Sequence, residues 1–434
     1  MRLKRVFSLC IKTQLAVIAM ALLLSACSGG GSSSSNTSNS SNNKVSNQTG
    51  TGNATLTTIP VTTGNSVSVV VDAGPVPGSS SINVGYVSVT VCPPGTTAGT
   101  AACQTINHVT LDTGSYGLRL LNPVLSSSLN LPAVTSSNGQ AIGECVQFVV
   151  GSIWGSVRRA DIYIGGEVAK NVPIHDIGDY PGGAPNVPAD CASTGAMQDT
   201  LALLGSNGIL GVGPFVNDCD VCLTQVYPAT YYTCTSTGCV NSTVTAAQVV
   251  RNPVASFAQD NNGTLISFPS VSSAGLTSLT GTLYFGIGTQ TNNALGAINV
   301  YTVNAYGEFT TTYKGAALTK SYLDSGSNGL FFNDTSIPKC SVNTWTYCPT
   351  VSPMSLAATT TNGSPGIAVP LPTPTIVDAD TLFLNNNIVA GNIGGPGSAN
   401  SFAWGLPFFF GRSVFTAIAG VSVTGVPSGP FWAY

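Results

Sequence analysis

A short internal repeat constrains the fold of this chain more than any other feature. Residues 111–118 read Leu-Asp-Thr-Gly-Ser-Tyr-Gly-Leu, and residues 323–330 read Leu-Asp-Ser-Gly-Ser-Asn-Gly-Leu. An apolar-apolar-Gly segment follows each copy, at residues 209–211 and 403–405. A single Asp-Thr-Gly-Ser in a chain rich in Ser, Thr and Gly indicates only an Asx turn between strands. Because the motif recurs with the same flanks, we predict a duplication that brings Asp112 and Asp324 together between two lobes.

The composition predicts that both lobes are built from strands. The 49 Gly and 26 Pro interrupt the chain too often for long helices, whereas the Val, Ile, Thr and aromatic runs between them favour strands. At 434 residues, of which 43% are hydrophobic, the chain exceeds what one simple core usually serves. We therefore predict an all-β chain with an N-terminal lobe at residues 80–250 and a C-terminal lobe at residues 251–434.

These motifs resemble those of the pepsin-like aspartic peptidases. In that family each lobe contributes one Asp-[Thr/Ser]-Gly-[Thr/Ser] loop, which a later apolar-apolar-Gly strand supports. Residues 151–155 and 161–166 resemble the flap hairpin and the strand after it, and residues 252–257 resemble the link into the second lobe. The resemblance extends from about residue 80 to 418. It implies a bilobal fold of β-barrel lobes with an interlobe cleft.

The resemblance identifies Asp112 and Asp324 as a catalytic pair for peptide hydrolysis. Two carboxyls a few ångströms apart cannot both ionise readily, so the pair holds one proton and can act as acid and base on a bound water. We predict no metal and no cofactor. The neighbours would permit the sharp turns, orient the outer carboxylate oxygens and link the two loops. These supporting residues are Thr113, Gly114, Ser115, Ser325, Gly326 and Ser327.

Two positions near the expected flap depart from the family pattern. Phe148 replaces the usual flap Tyr and has no hydroxyl, and Arg119 replaces the Trp that this Tyr contacts. One interpretation is a different closure, with Trp154 or Tyr116 covering the cleft. The other is a scaffold that binds ligands without cleaving them. The alternative to an aspartic-type endopeptidase is therefore a non-catalytic binding or adhesion lipoprotein.

The N-terminus is typical of a lipoprotein signal peptide, with a basic start and an apolar run at residues 15–24. The sequence Leu-Ser-Ala-Cys that ends at Cys27 resembles a bacterial lipobox, in which residues 1–26 are removed and the cysteine is acylated. An ordinary secretory leader is the alternative. Residues 27–55 would form the lipidated Cys and a flexible Ser/Asn/Gly linker. Because Ser28 follows the cysteine, we predict a lipid anchor in the bacterial outer membrane.

Ten of the 12 cysteines lie outside the leader and the anchor, and an even number suits disulfides in an oxidising compartment. Two local pairs are predicted, and one longer bridge would join two parts of a lobe. A further group of four contains a C-x2-C spacing that also admits zinc, although export favours two disulfides. The candidates are Cys92 with Cys103, Cys340 with Cys348, Cys145 with Cys191, and the group Cys219, Cys222, Cys234 and Cys239.

Charge and histidine content argue against other functions. Removal of the leader's four basic residues leaves 10 basic and 17 acidic residues, a net charge of −7 without a basic cluster, so nucleic acid is not a predicted partner. His108 is expected to be packed or at a strand edge, whereas His175 is expected to face solvent. Residues 408–410 should lie in the core, whereas residues 431–434 form either a core strand or an exposed patch. We predict a monomer that acts on a peptide or protein substrate and contacts the membrane only through its lipid.

Overall fold

The computed structural model describes residues 64–361, 369–370 and 374–434. The predicted signal peptide and linker lie outside these residues. The described chain is all-β, as predicted, and its three α-helices are short: α1 (Ala189–Ala192), α2 (Leu201–Leu204) and α3 (Ala379–Phe383). Over the described ranges, no helix has the length and apolar character needed to cross a membrane.

Twenty-four strands are defined within the described residues. The first ten are β1 (Ser66–Val71), β2 (Gly85–Cys92), β3 (Gln104–Asp112), β4 (Tyr116–Leu121), β5 (Ala141–Phe148), β6 (Gly151–Ile164), β7 (Glu167–Ile177), β8 (Gly208–Val212), β9 (Tyr231–Thr235) and β10 (Gly238–Asn241). The others are β11 (Gly263–Ser267), β12 (Leu279–Phe285), β13 (Val300–Thr302), β14 (Phe309–Tyr313), β15 (Ala316–Leu323), β16 (Leu330–Phe332), β17 (Met354–Ser355), β18 (Ala358–Thr361), β19 (Val369–Pro370), β20 (Thr375–Ile376), β21 (Gly394–Pro396), β22 (Phe402–Trp404), β23 (Ser413–Ala417) and β24 (Phe431–Ala433).

The two halves repeat one arrangement of four strands. In the first half, β8 pairs in parallel with β3 and antiparallel with β4, and β4 pairs in parallel with β7. In the second half, β22 pairs in parallel with β15 and antiparallel with β16, and β16 pairs in parallel with β21. Each half therefore builds the same unit around the loop that carries its aspartate. The prediction of an all-β, bilobal fold is confirmed.

The sheets connect these units to the rest of the chain. A 15-stranded sheet has the order β10-β9-β5-β6-β7-β4-β8-β3-β2-β1-β12-β11-β23-β24-β13, and a seven-stranded sheet has the order β19-β18-β14-β15-β22-β16-β21. β17 and β20 form a separate pair. β1 pairs with β2 on one side and with β12 on the other, so a strand before residue 80 joins strands of both halves. The lobe limits 80–250 and 251–434 remain predictions.

Aromatic side chains fill much of the core of the second half. Phe402 stacks on Phe332 and on Trp404, with ring centroids 4.8 and 4.2 Å apart. Residues 408–410 are buried, as predicted. Residues 431–433 form the buried strand β24, and Tyr434 stacks on Tyr301 at 4.5 Å. The C-terminal aromatic cluster is therefore a core strand and not an exposed patch.

All ten candidate cysteines form disulfides, which confirms that prediction. The three expected pairs form, and the group of four forms two local bridges: Cys92–Cys103, Cys145–Cys191, Cys340–Cys348, Cys219–Cys222 and Cys234–Cys239. Metal binding by cysteine needs a free thiolate. The C-x2-C spacing is therefore a disulfide loop and not a zinc site.

Candidate active site

Two adjacent strands determine the position of each aspartate. Asp112 is the last residue of β3, and Gly211 of β8 lies beside it in the parallel register. A Cβ at Gly211 would lie 2.4 Å from the backbone nitrogen of Tyr116, so only glycine lets this strand support the loop so closely. Gly405 has the same role after β22, because a Cβ there would lie 2.5 Å from the Ser327 carbonyl oxygen. The apolar-apolar-Gly segments thus support the two aspartate loops.

Each carboxyl is held by two donors from its own loop. The Gly114 amide donates to Asp112 Oδ1 at 2.7 Å, and the Ser115 hydroxyl donates to Asp112 Oδ2. In the second loop, the amide at 326 donates to Asp324 Oδ1 at 2.9 Å, and the hydroxyl at 327 donates to Asp324 Oδ2 at 2.6 Å. Identical contacts therefore fix the two carboxyl planes, and both serines orient outer oxygens.

A symmetric set of buried hydrogen bonds links the two loops. The Thr113 amide donates to Ser325 Oγ at 3.0 Å, and the Ser325 amide donates to Thr113 Oγ1 at 2.9 Å. Each hydroxyl then donates to the strand of the other half, Ser325 Oγ to the Leu111 carbonyl at 2.8 Å and Thr113 Oγ1 to the Leu323 carbonyl at 3.4 Å. These four bonds hold the aspartates in a common frame.

The two aspartates face each other across this junction. A Cβ at Gly114 would lie 2.8 Å from the Asp324 carboxyl, and a Cβ at Gly326 would lie 2.7 Å from Asp112 Oδ1. The carboxyls of Asp112 and Asp324 are within hydrogen-bonding reach of each other. Both glycines are therefore required by the close approach of the opposite carboxyl.

Burial and mutual repulsion alter the proton affinity of this pair. Asp112 is only 7% exposed. Burial first, and then the negative charge of Asp324, raise the pKa of Asp112 from its ordinary 3.8 to about 8, although the Ser115 and Gly114 hydrogen bonds oppose the shift. Burial and the same two charges also raise the pKa of Tyr322 to about 12. The pair consequently retains one proton at pH values well above the usual pKa range of carboxyl groups.

The β5–β6 hairpin differs from the predicted cleft cover. Phe148 ends β5 and packs with Leu121, Ile153 and Ile177, and the two residues at the hairpin tip are exposed. Trp154 is only 2% exposed and meets the ring of Tyr232 at 5.1 Å, inside the first half of the chain. The prediction that Trp154 covers the cleft is therefore wrong, because its indole is part of the core.

Tyr116 remains close to the aspartates. Burial is the main cause that raises the pKa of its phenol, followed by the charge of Asp112. Its ring meets Phe215 edge-on at 5.6 Å. The side chain thus lies beside the pair and rests on an aromatic neighbour, and its place as a cover of the cleft stays a prediction.

Arg119 and His175 both lie in the interior. Arg119 is 1% exposed and binds Glu144 and Asp218, so its expected position at the cleft is wrong. His175 is fully buried beside Glu144, so the expectation that it faces solvent is also wrong. His108 is buried and bonds Asp72 at 3.1 Å, as expected for a packed histidine.

Sequence reasoning missed the acidic members of this interior cluster. Glu144 lies within the apolar strand Ala-Ile-Gly-Glu-Cys-Val, and a lone acid at such a position is a signal of a buried ion pair. Asp218 lies in a loop and carried no comparable signal. Among the described residues, one set of potential metal ligands converges: Cys340, Cys348 and Asp378. Its two cysteines are joined in a disulfide and therefore offer no free thiolate.

Comparison with known proteins identifies one family. One matching solved structure is the crystal structure of aspartic proteinase from Irpex lacteus, with 15% sequence identity and a TM-score of 0.47, covering 81% of this chain and 94% of that chain. No curated protein matches the sequence. Residues 61–434 match the family described as "Protein of unknown function (DUF3443)", and the chain therefore belongs to that family.

Proposed function

We propose that this protein is an aspartic-type endopeptidase that hydrolyses extended peptides. The observation that carries the proposal is the geometry of the carboxyl pair. Asp112 and Asp324 come from duplicated loops, receive identical hydrogen bonds and lie within hydrogen-bonding reach of each other. Such a pair shares one proton and can bind one water between its oxygens.

The chemistry needs only this pair and water. The ionised carboxyl takes a proton from the water, whose oxygen forms a bond to the carbonyl carbon of the peptide. The protonated carboxyl gives its proton to the carbonyl oxygen, which yields a neutral tetrahedral diol. The carboxyl that took the water proton then gives a proton to the amide nitrogen as the C–N bond breaks, and the other carboxyl takes a proton from one diol hydroxyl. The products are a carboxylic acid and an amine, and the pair returns to its singly protonated state.

The second candidate is a binding or adhesion protein on the same scaffold. One observation favours it: Phe148, at the end of the hairpin strand, offers no hydroxyl to a substrate or to a neighbouring side chain. Arg119 does not favour it, because its guanidinium is sequestered among carboxyls instead of filling the space between the aspartates.

We further propose that the chain is a lipoprotein anchored in the bacterial outer membrane through Cys27, with a peptide or protein as its partner. In the producing bacterium, Cys27→Ser should abolish labelling by radioactive palmitate and release the protein from the membrane fraction. Labelling that persists in this variant would contradict the anchor. This test is independent of any peptidase activity.

Peptidase activity is tested with the purified protein, a library of unstructured peptides and mass spectrometry of the products. The expected result is internal cleavage that a statine-type inhibitor blocks, with activity falling as pH rises through about 8, where the pair loses its shared proton. Asp112→Asn and Asp324→Asn should each abolish cleavage. A wild-type protein that binds peptides without cutting them would establish the second candidate instead.

A further inference from the structure

A buried ionic cluster lies directly behind the first aspartate loop. Arg119 Nη2 lies 2.8 Å from Glu144 Oε1 and 2.9 Å from Asp218 Oδ2, and His175 Nδ1 lies 3.0 Å from Glu144 Oε2. The Tyr231 hydroxyl donates to Asp218 Oδ1 at 2.8 Å. The side chains of Arg119, Glu144 and His175 are at most 1% exposed. The proposed hydrolysis uses none of these groups, and an unpaired ion at this depth would cost several kcal/mol.

The members of the cluster come from five separate elements. Arg119 is on β4 and Glu144 is on β5, whereas His175 and Tyr231 lie on β7 and β9. Asp218 lies in the loop after β8. The cluster therefore ties the hairpin strand β5 to β4, which leads directly out of the first aspartate loop.

The guanidinium also reaches the aspartate loop itself. Arg119 Nη1 donates to the backbone carbonyl of Tyr116. Tyr116 follows Ser115, whose hydroxyl binds the Asp112 carboxyl. One nitrogen of the planar guanidinium thus bonds a loop carbonyl, and the other bonds two carboxyls. Lysine cannot reproduce this geometry.

The charges of the cluster are divided unevenly. Burial raises the pKa of Glu144, but the charges of Arg119 and His175 outweigh it and hold that pKa well below its usual range. Burial and then the charge of Glu144 raise the pKa of Asp218 well above its usual range. The ionised form is therefore favoured at Glu144, and the protonated form is favoured at Asp218.

We propose that Arg119 is a positioning residue: Glu144 of the hairpin fixes its guanidinium, which holds the Tyr116 carbonyl and thereby the loop that carries the first aspartate. This inference rests on the proposed hydrolysis. It assigns the hairpin a fixed tie to the aspartate loop, through a buried ion pair. A loop released from this tie loses the alignment of its carboxyl, and misplacement by about 1 Å costs up to about 100-fold in rate.

The test uses Arg119→Lys in the purified protein. The ammonium retains the charge balance with Glu144 but cannot at the same time reach the Tyr116 carbonyl. We expect kcat to fall about tenfold or more with KM within about twofold of wild type. We also expect amide hydrogen exchange of residues 113–118 to become at least about tenfold faster. Should this variant fail to fold, Glu144→Gln is the second variant, because it removes the carboxylate of β5 from the guanidinium while Asp218 remains as a countercharge. The same fall in kcat and faster exchange of residues 113–118 are expected, and unchanged values of both would overturn the inference.

The matched control is Asp179→Asn in the same half of the chain. It removes an ion pair with Arg158, 2.5 Å long, that has no contact with the aspartate loop. Its kcat and the exchange of residues 113–118 should equal those of wild type. A structural role for Arg119 would lower the unfolding midpoint without this selective change.

The outcomes separate the inference from the proposed function. If wild type cleaves peptides and Arg119→Lys loses kcat with faster loop exchange, the inference is supported. If wild type cleaves and the variant has unchanged kcat and exchange, the inference is overturned while the function stands. If wild type cleaves nothing, the proposed function fails. Loop exchange then decides alone: acceleration supports the tie, and unchanged exchange overturns it.

Discussion

Replacement of Asp112 by Asn removes a carboxyl whose ionisation the fold disfavours. The free energy of unfolding at neutral pH should therefore rise. The pKa of Asp112 is 3.8 in the unfolded reference and about 8 in the folded chain. Below pH 3.8 the group is protonated in both states and contributes no difference. Between these values only the folded state binds the proton, so the free energy of unfolding of wild type declines as pH rises.

The size of the effect follows from the shift. Each pH unit in this window costs about 1.4 kcal/mol, which gives an upper limit of roughly 4 kcal/mol at pH 7. Because Asp324 shares the proton, the expected gain for Asp112→Asn at about pH 7 is roughly 2–4 kcal/mol. At about pH 3.5 the variant and wild type should agree within roughly 0.5 kcal/mol, since both side chains are then neutral.

The assay is urea unfolding of the disulfide-intact protein at a series of pH values, with midpoints and slopes compared at each pH. Asp334→Asn is the control of opposite sign. Asp334 accepts from Tyr313 at 2.6 Å and pairs with Lys314 at 2.7 Å, and despite burial these partners hold its pKa below the ordinary value. Asp334→Asn should destabilise the protein at neutral pH, and this destabilisation should disappear in acid. An Asp112→Asn gain that is equal at pH values of about 3.5 and 7 would refute the reasoning.

Three further outcomes are expected. Ser325→Ala leaves the buried Thr113 amide unpaired and should lower the free energy of unfolding by about 2–4 kcal/mol in urea titrations. Thr113→Ser keeps a hydroxyl and should change this free energy by less than about 1 kcal/mol. Equal effects of the two substitutions would contradict the hydrogen bonds between the loops. Gly326→Ala places a methyl group against the Asp112 carboxyl and should reduce kcat/KM at least about 100-fold. Gly391→Ala should be neutral, because the nearest atoms would lie 3.8 Å from its Cβ. A Gly326→Ala variant with full activity would contradict the close approach of the Asp112 carboxyl to this glycine. Loss of the Cys145–Cys191 bridge, which spans 46 residues, should cost about 4 kcal/mol in the same urea assay, and a cost below about 1 kcal/mol would show that the unfolded chain gains little freedom.

The repeat made the central part of the fold predictable. Both aspartate loops and both supporting glycines were located from the sequence because each needs a particular residue type: a carboxyl, a hydroxyl or a residue without Cβ. Pairs of local cysteines were predictable for a similar reason, since short separations in an exported chain limit the possible partners. Strand content followed from composition alone.

The interior polar groups could not be predicted in the same way. Arg119, Trp154 and His175 were each expected at or near a surface, since a single side chain in a strand can face either side of the sheet. Their burial depends on distant partners, such as Glu144 for His175 and Tyr232 for Trp154. No local pattern records which residue will supply a countercharge or a packing surface.

The positions of the paired aspartates and of their supporting residues were thus readable from a duplicated motif, because the residue types of a tight turn are set by the turn itself. The raised proton affinity of Asp112 was decided by tertiary structure, since it requires that Asp324, 212 positions later, be brought into hydrogen-bonding reach in a buried site. The tie between the hairpin and the first aspartate loop has the same origin. A buried guanidinium must find its carboxylate, and only the packing of five elements brings Glu144 to Arg119.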